Sequence, residues 1–240
     1  MKFKIDNLLE YEGEDLIFLI GAPGSRWSRT AEIIALSPDI NISDRKPERE
    51  WHRPFIGMGG DYIEVGNHVG AYWGPGNLYG KNFDYIHSLT KEEMLTEFMG
   101  AFDTWDKIKI IKSHWFAYNI PYLNNMFPKA KIVLSYMSDY ECWYWWQKCG
   151  GFGSGYANYS WYENDEKMLE KIKEENSNIL KFATDKNVFL IHLSRKQIWD
   201  NLGLQYPALE HQDPGHENQL RKTAVYTYEN RVLDTFQVLR

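Results

Sequence analysis

The chain has little cysteine and lacks both a long apolar run and a secretion signal. Its 240 residues include two cysteines, Cys142 and Cys149, which are too few for a disulfide framework and lack the spacing of a metal site. The longest apolar runs, such as residues 16–20, are far too short to cross a bilayer. The first six residues, Met-Lys-Phe-Lys-Ile-Asp, contain no signal-peptide core. We therefore expect a soluble, cytoplasmic protein with reduced thiols.

An excess of basic residues is also absent. The formal net charge is −6 and the isoelectric point is about 5.7, so we expect neither a nucleic-acid partner nor a membrane partner. A local pocket for a small anion is compatible with this net charge. Aromatic residues, by contrast, make up 16% of the chain and include ten tryptophans, which favours binding surfaces lined by rings. No repeat or linker divides the sequence, so one domain over residues 1–240 is expected.

Apolar segments alternate with segments of helical periodicity along the chain. Strands are predicted at residues 16–20, 107–111, 130–136 and 188–193, and helices at 29–36, 91–105, 118–127, 160–185 and 196–202, with another helix after Asp139. This order predicts a three-layer α/β/α fold around a central parallel sheet, which binds ligands at the carboxyl ends of its strands. Residues 41–90, rich in glycine, proline, asparagine and aromatic residues, have no such period. We expect them to form a long irregular insertion with a functional role.

The first predicted strand runs into a loop that is suited to holding an anion. Residues 16–28 read Leu-Ile-Phe-Leu-Ile-Gly-Ala-Pro-Gly-Ser-Arg-Trp-Ser, and a helix-like stretch follows. A strand, a tight loop and a helix N-terminus together form a cradle for phosphate or sulfate. Against the nucleotide-binding P-loop, Gly21 and Ser28 match, whereas Arg26 and Trp27 stand at the second glycine and the lysine. The missing lysine argues against ordinary ATP or GTP hydrolysis.

The loop resembles that of the sulfotransferases that use 3′-phosphoadenosine 5′-phosphosulfate (PAPS), a P-loop family whose loop typically reads Gly-x-Pro-Lys/Arg-Ser-Gly-Thr-Thr. Gly24 stands where that family carries a basic residue, and Arg26 is the nearest substitute. The resemblance implies a P-loop-type fold, PAPS as donor and no metal. It also implies that the 5′-phosphosulfate end of the donor is held by this loop. The residues concerned are Gly21, Pro23, Gly24, Ser25, Arg26, Trp27 and Ser28.

A second segment is similar to the same family. Residues 110–115 read Ile-Ile-Lys-Ser-His-Trp at the end of the second predicted strand, and they resemble a Lys-Thr-His segment whose histidine deprotonates the acceptor hydroxyl. The resemblance implies that His114 is the general base and that Lys112 and Arg26 stabilise charge on the transferring group. An imidazole with an ordinary pKa of roughly 6.5 is largely neutral near pH 7 and can accept a proton. From the residues alone, a satisfied core histidine beside a structural lysine is the alternative.

The family binds the 3′-phosphate of the donor after its next strand, and here only part of that pattern is present. Asp139 matches, the family's Arg and Ser positions carry other residues, and Ser138 is the nearest hydroxyl. The family also closes its nucleotide site with a late Arg-Lys pair. Residues 195–196 and the pair Arg221 and Lys222 are the two candidates. We prefer the second pair because it follows a loop rich in Asp, Pro, Gly and Asn.

The long insertion mixes polar groups with rings, as pockets for carbohydrates and other small polar ligands do. The candidate acceptor-binding residues are Trp51, His52, His68, Tyr72, Trp73 and Trp146. The sequence therefore favours a sulfotransferase that acts on a small-molecule or carbohydrate hydroxyl. Two other functions stay open. One is a P-loop protein that has lost transfer and binds a glycan or a partner, and the other is a nucleotide kinase with an unusual loop.

Overall fold

The structure, a computed structural model, describes residues 10–44, 55–56, 62–63, 70–72, 83–148, 151, 163–208 and 221–230. The strands are β1 (Leu16–Gly21), β2 (Phe55–Ile56), β3 (Tyr62–Ile63), β4 (Ala71–Tyr72), β5 (Lys109–Lys112), β6 (Lys131–Tyr136) and β7 (Lys222–Tyr226). The helices are α1 (Trp27–Ala35), α2 (Lys91–Met99), α3 (Ile120–Met126), α4 (Asp139–Lys148), α5 (Asp165–Asp185) and α6 (Arg195–Leu202). Short 3₁₀ helices cover Phe83–Ser88 and His114–Tyr118.

A mixed sheet of order β4-β5-β1-β6-β7 forms the centre of the fold. Strands β4, β5, β1 and β6 are parallel, and β7 runs antiparallel to β6. The register places Leu19 of β1 beside Lys112 of β5, and Gly21 of β1 beside Ser135 of β6. Strands β2 and β3 pair separately, as a short antiparallel ribbon. The fold is therefore α/β, and its sheet is parallel except at the β7 edge.

Strand β1 is buried on both faces, which explains its unbroken apolar sequence. Its alternate residues enter two different layers, because successive side chains of a strand point to opposite faces. Phe18 packs among aromatic rings of α2, α3 and the second 3₁₀ helix, with centroid distances of 5.4 Å to Phe116 and 5.9 Å to Phe98. Ile17 and Leu19 pack against α1 and α6 on the other face. The chain thus forms three layers with β1 at the centre.

The strand predicted at residues 188–193 is wrong. Ile191 makes only an isolated antiparallel bridge with Thr223, and the side chain of Phe189 is 74% exposed. The place beside β6 is taken by β7, which pairs with β6 from Ile132 to Tyr136. The short sequence of β7, Lys-Thr-Ala-Val-Tyr, contains too few apolar residues to stand out. The segment at 188–193 is more apolar and therefore predicted a strand, although the strand of the structure is β7.

Several predicted helices differ at their ends. The helix predicted at 91–105 ends at Met99, after a start at which Thr90 and Glu93 form a capping box. The helix predicted at 118–127 is the shorter α3, which begins at Ile120 and ends at Met126, and Tyr118 ends the preceding 3₁₀ helix. Helix α6 ends as expected, with Gly203 in a left-handed conformation at φ 62°. Among the helices of the described ranges, none is long and apolar enough to cross a membrane.

Candidate functional site

The loop after β1 is folded so tightly that one of its positions accepts only glycine. The Ser25 N–H donates to the Ala22 carbonyl at 3.0 Å and closes a turn, so this amide is turned inward. Gly24 has φ 79°, and a Cβ atom there would overlap the carbonyl oxygen of Cys142 in α4. The basic side chain that the sulfotransferase loop carries at this position therefore has no room here. Arg26, also left-handed at φ 58°, immediately precedes α1.

Ser25 presents a buried hydroxyl inside the loop. Its side chain is fully buried, and its Oγ has no hydrogen-bond partner among the described residues. The hydroxyl lies directly over Gly21, where a Cβ atom would meet it. The backbone carbonyl of Ser25 is held by the Ser135 hydroxyl at 3.3 Å. Because buried polar groups are rarely left unsatisfied, this hydroxyl is a candidate contact for a ligand atom.

His114 is held against the same loop by two contacts. Its Nδ1 lies 2.7 Å from the Gly21 carbonyl oxygen, and its ring stacks on the Trp27 indole with a centroid distance of 4.1 Å and an interplanar angle of 22°. A carbonyl oxygen can only accept a hydrogen bond, so neutral His114 carries its proton on Nδ1 and a lone pair on Nε2. This tautomer is the one that can take a proton through Nε2.

Burial controls the charge of His114. The side chain is 3% exposed, and burial lowers its pKa to about 3; the hydrogen bond to Gly21 raises the pKa, and the charge of Lys112 lowers it. His114 is therefore neutral at pH 7. With nothing bound, its lone pair is a weak base. An anion bound beside it would raise the pKa towards the range in which proton transfer is efficient.

Lys112 is a buried cation at the end of β5. It is 1% exposed, and within the described part of the chain its Nζ has no hydrogen-bond partner. Burial lowers its pKa to about 8, although the charges of Asp44 and Glu32 act in the opposite direction. The Nζ lies 5.8 Å from the centroid of the Trp27 ring, the indole on which His114 also stacks. A buried, unpaired ammonium is expensive, and an anion bound next to it would offset that cost.

Two polar residues of α5 reach the site, and the sequence analysis missed both. Glu175 is fully buried, with its Oε2 3.9 Å from the Nδ1 of His114. Asn176 donates through Nδ2 to the Met137 carbonyl at 2.9 Å and to Asp139 Oδ1 at 2.8 Å. The signal was present in the sequence: the buried stripe of α5 has helical spacing, and these two residues interrupt an otherwise mostly apolar face.

The predicted 3′-phosphate residues differ in how they are engaged. The Ser138 hydroxyl donates to Glu141 at 2.6 Å and Asp139 accepts from Asn176, so both already serve the start of α4. Arg221 is 4% exposed and directly precedes β7. Because β7 is antiparallel to β6, with Lys222 beside Tyr136, Arg221 lies at the carboxyl edge of the parallel strands, where the loop also lies. The Lys222 side chain is exposed.

Arg26 lies on the α4 side of the loop. Its guanidinium is 4.6 Å from the centroid of the Trp145 ring, a cation–π distance. Lys148 lies over the same ring at 5.0 Å. The structure thus places Arg26 against an aromatic side chain of α4, whereas Lys112 and His114 meet at Trp27.

The predicted acceptor residues are only partly visible. Trp51, His52, His68 and Trp73 lie outside the described residues, and for Tyr72 only the backbone is described, paired in β4 with Lys112. Trp146 is 2% exposed and packs with Met137, Cys142 and Met168. Its ring is therefore part of this core cluster.

Comparison with protein-family models, with curated proteins and with solved structures found no match. Within the described ranges, no three His, Cys, Asp or Glu side chains are grouped as a metal site requires. The site is consequently defined by its own geometry. Its principal members are the loop from Gly21 to Ser28, Lys112, His114, Glu175 and Arg221.

Replacing Gly24 tests whether the loop is packed as tightly as the structure indicates. We expect Gly24→Ala to lower the free energy of unfolding by about 3 kcal/mol, because the left-handed conformation and the collision with Cys142 both oppose a Cβ atom. Gly203→Ala is the matched control, since it has φ 62° but no atom within 4 Å of the new Cβ. It should cost only about 1 kcal/mol. Equal losses in urea unfolding would contradict the packing.

Replacing Lys112 tests whether its charge is uncompensated. Below pH 8 the ammonium is protonated in both the folded and unfolded states, so the folded state bears the full cost of burial. Between about pH 8 and the ordinary value of 10.5 only the unfolded state keeps the proton, so stability rises with pH. We expect Lys112→Met to raise the free energy of unfolding at pH 7 by roughly 3 kcal/mol, with the gain shrinking above pH 8.

Lys109 provides the control for this experiment on the same strand. It is also buried, but its Nζ is paired with the Asp15 carboxylate. Lys109→Met should therefore destabilise the protein, in contrast to the change at Lys112. If Lys112→Met destabilises the protein to the same extent, Lys112 is a structural residue.

His114→Asn tests the protonation of the imidazole without removing its hydrogen bond. The amide nitrogen of asparagine can occupy the place of Nδ1 and donate to Gly21. In the parent protein, the free energy of unfolding decreases as pH falls from about 6.5 towards 3. Over this range His114 is protonated in the unfolded state and stays neutral in the folded state. We expect urea unfolding between pH 4.5 and 7 to show a slope smaller by up to one proton, about 1.4 kcal/mol per pH unit, in the variant. His87→Asn, which makes the same substitution at an exposed position, is the control. An unchanged slope in His114→Asn would refute the burial of a neutral imidazole.

Proposed function

We propose that the protein is a sulfotransferase that transfers a sulfuryl group from PAPS to a hydroxyl of a small-molecule or carbohydrate acceptor. The observation that carries this proposal is the buried Lys112 ammonium, which has no hydrogen-bond partner in the described ranges and shares the Trp27 indole with His114. A buried cation and a neutral base with a fixed tautomer are what this transfer requires. The loop with the buried Ser25 hydroxyl lies at the same edge of the sheet.

In the proposed reaction the acceptor oxygen attacks sulfur, and its proton passes to Nε2 of His114. A bond forms between the acceptor oxygen and sulfur, and the bond between sulfur and the bridging phosphate oxygen breaks. The leaving group is adenosine 3′,5′-bisphosphate, and Lys112 offsets the negative charge that develops on it. The Nδ1–H of His114 stays bonded to Gly21 throughout, so the ring keeps its orientation while it takes the proton.

The structure also supports a choice among the residues proposed for the 3′-phosphate. Arg221 supplies a buried guanidinium at the carboxyl edge of β6. Ser138 and Asp139 are neutral or anionic groups that hydrogen-bond with Glu141 and Asn176. A guanidinium binds phosphate through two parallel hydrogen bonds. We therefore propose Arg221 as the principal 3′-phosphate residue, with Lys222 at the periphery.

A second function is favoured by one observation. Burial lowers the pKa of His114 to about 3, which makes the free imidazole a weak base and favours a protein that carries out no proton transfer. A glycan-binding or partner-binding protein with this cradle is therefore the alternative. The kinase hypothesis has no comparable support, because the position of the kinase lysine is occupied by Trp27, whose indole stacks on His114.

Calorimetric titration with adenosine 3′,5′-bisphosphate and with ATP, each with and without Mg²⁺, tests the proposal. We expect the bisphosphate to bind without metal, and Lys112→Met to weaken binding at least tenfold because the buried cation is lost. Lys129→Met is the control, since this partly exposed lysine pairs with Glu12 and Glu14, which precede β1 at the end opposite the loop. Absence of bisphosphate binding at millimolar concentration would refute the sulfotransferase.

Transfer itself is measured with labelled PAPS and a panel of phenolic and carbohydrate acceptors. His114→Asn should abolish transfer and leave the affinity for the bisphosphate within about threefold of the parent. Binding of the bisphosphate by a parent protein that labels no acceptor on the panel would favour the binding protein instead.

A further inference from the structure

We propose that Glu175 is a positioning residue for His114, whose carboxylate stabilises the imidazolium that forms when His114 takes the acceptor proton. This inference rests on the proposed function, because it assigns a role in the same proton transfer. It concerns a residue that lies far along the chain from both segments of the site. Its carboxylate is nevertheless 3.9 Å from the imidazole.

The position of Glu175 within α5 argues for a specific role. The residue is fully buried, between Ile172 and Ile179 in the face of α5 that packs into the core. A carboxylate at such a position costs several kcal/mol unless a charge or hydrogen bonds compensate it. Its neighbour Glu174 is 52% exposed and pairs with Lys171 at 3.1 Å. Of these two neighbours, Glu174 is therefore an ordinary surface glutamate and Glu175 is directed to the site.

The geometry indicates that Glu175 acts through its charge. The Nδ1–H of His114 is committed to the Gly21 carbonyl at 2.7 Å, and the Oε2 of Glu175 is too far from Nδ1 for a hydrogen bond. An opposite charge within 4 to 6 Å favours the charged form of a titrating group. Glu175 thus favours the imidazolium, whereas burial and Lys112 favour the neutral ring.

Two other titratable side chains near the pair, Tyr118 and Cys142, carry no charge at neutral pH. Burial, together with the charges of Glu175 and Glu174, raises the pKa of Tyr118 above its ordinary value. Burial also raises the pKa of the Cys142 thiol to about 12. Neither group therefore adds a charge to those of Lys112 and, in our proposal, Glu175. Asp139 is the other carboxylate of this cluster, and Asn176 donates a hydrogen bond to it.

This balance links the base to the occupancy of the anion site. When an anion binds at Lys112, the field that disfavours the imidazolium is offset, and the charge of Glu175 then raises the proton affinity of His114. The imidazole becomes an effective base only when the donor is in place. In the transfer step the proton moves from the acceptor hydroxyl to Nε2, as the bond from oxygen to sulfur forms, and Glu175 itself exchanges no proton.

The experiment follows the protonation of His114 by NMR in histidine-labelled protein, with and without adenosine 3′,5′-bisphosphate. We expect the bisphosphate to raise the pKa of His114 by at least one unit in the parent protein. In Glu175→Gln the pKa should be at least one unit lower than in the parent under both conditions. Glu174→Gln removes the same charge at the neighbouring exposed position and should titrate like the parent. Identical titrations of Glu175→Gln and the parent would overturn the inference.

Two further measurements separate this inference from the proposed function. If the parent protein does not bind the bisphosphate, the sulfotransferase proposal fails, while the titration of the free protein still tests the pairing of Glu175 with His114. Glu175→Asp, which keeps the charge, should restore part of the lost pKa shift, whereas a purely structural role would leave both variants alike.

In active protein, Glu175→Gln should lower kcat about tenfold at unchanged KM for PAPS and move the acid limb of the pH profile to lower pH. A fall in kcat without that movement would also overturn the inference.

Discussion

The hydrogen bond between His114 and the Gly21 carbonyl joins the two halves of the site. It connects the end of β1 to the segment that follows β5, over 93 positions of sequence. The bond fixes the tautomer of the imidazole, and the stacked Trp27 indole fixes its plane. Because Lys112 pairs in register with Leu19 on the same two strands, the orientation of the imidazole and the position of the cation depend on one sheet contact. The loop, Lys112 and His114 are therefore a single structural unit.

The charges of this unit are arranged at the expense of stability. Lys112 and Glu175 are both fully buried, and His114 is held in its uncharged form. At the start of β5 a buried lysine is compensated in the usual way. Lys109 is paired with Asp15 and lies 4.2 Å from the centroid of the Trp105 ring. Within the described ranges Lys109 is compensated, whereas the Nζ of Lys112 has no hydrogen-bond partner. Because hydrophobic replacement of such a charge would be stabilising, this contrast supports the proposed role of Lys112 in binding an anion.

The sequence indicated the parts of the fold that depend on local pattern. The apolar runs of β1 and β6 are buried, and the parallel arrangement correctly brought Lys112 and His114 to the edge where the loop lies. Contacts between distant segments could not be predicted from the sequence. The need for glycine at position 24 follows from its contact with the Cys142 carbonyl of α4, a residue 118 positions away. Glu175 was visible as an interruption of an apolar stripe, but its proximity to His114 depends on how α5 packs.

Trp27 links the loop to β5, because its indole stacks on His114 and lies near Lys112. At the position of a P-loop lysine, in the first turn of α1, this chain has Trp27, whose indole stacks on His114. The cation near the same ring is Lys112 of the neighbouring strand β5. Gly24 packs against the Cys142 carbonyl of α4 and Trp27 packs against His114, so neither extends a charge towards an anion. In the proposed site, β5 therefore supplies the charge and the loop supplies the packing against α4.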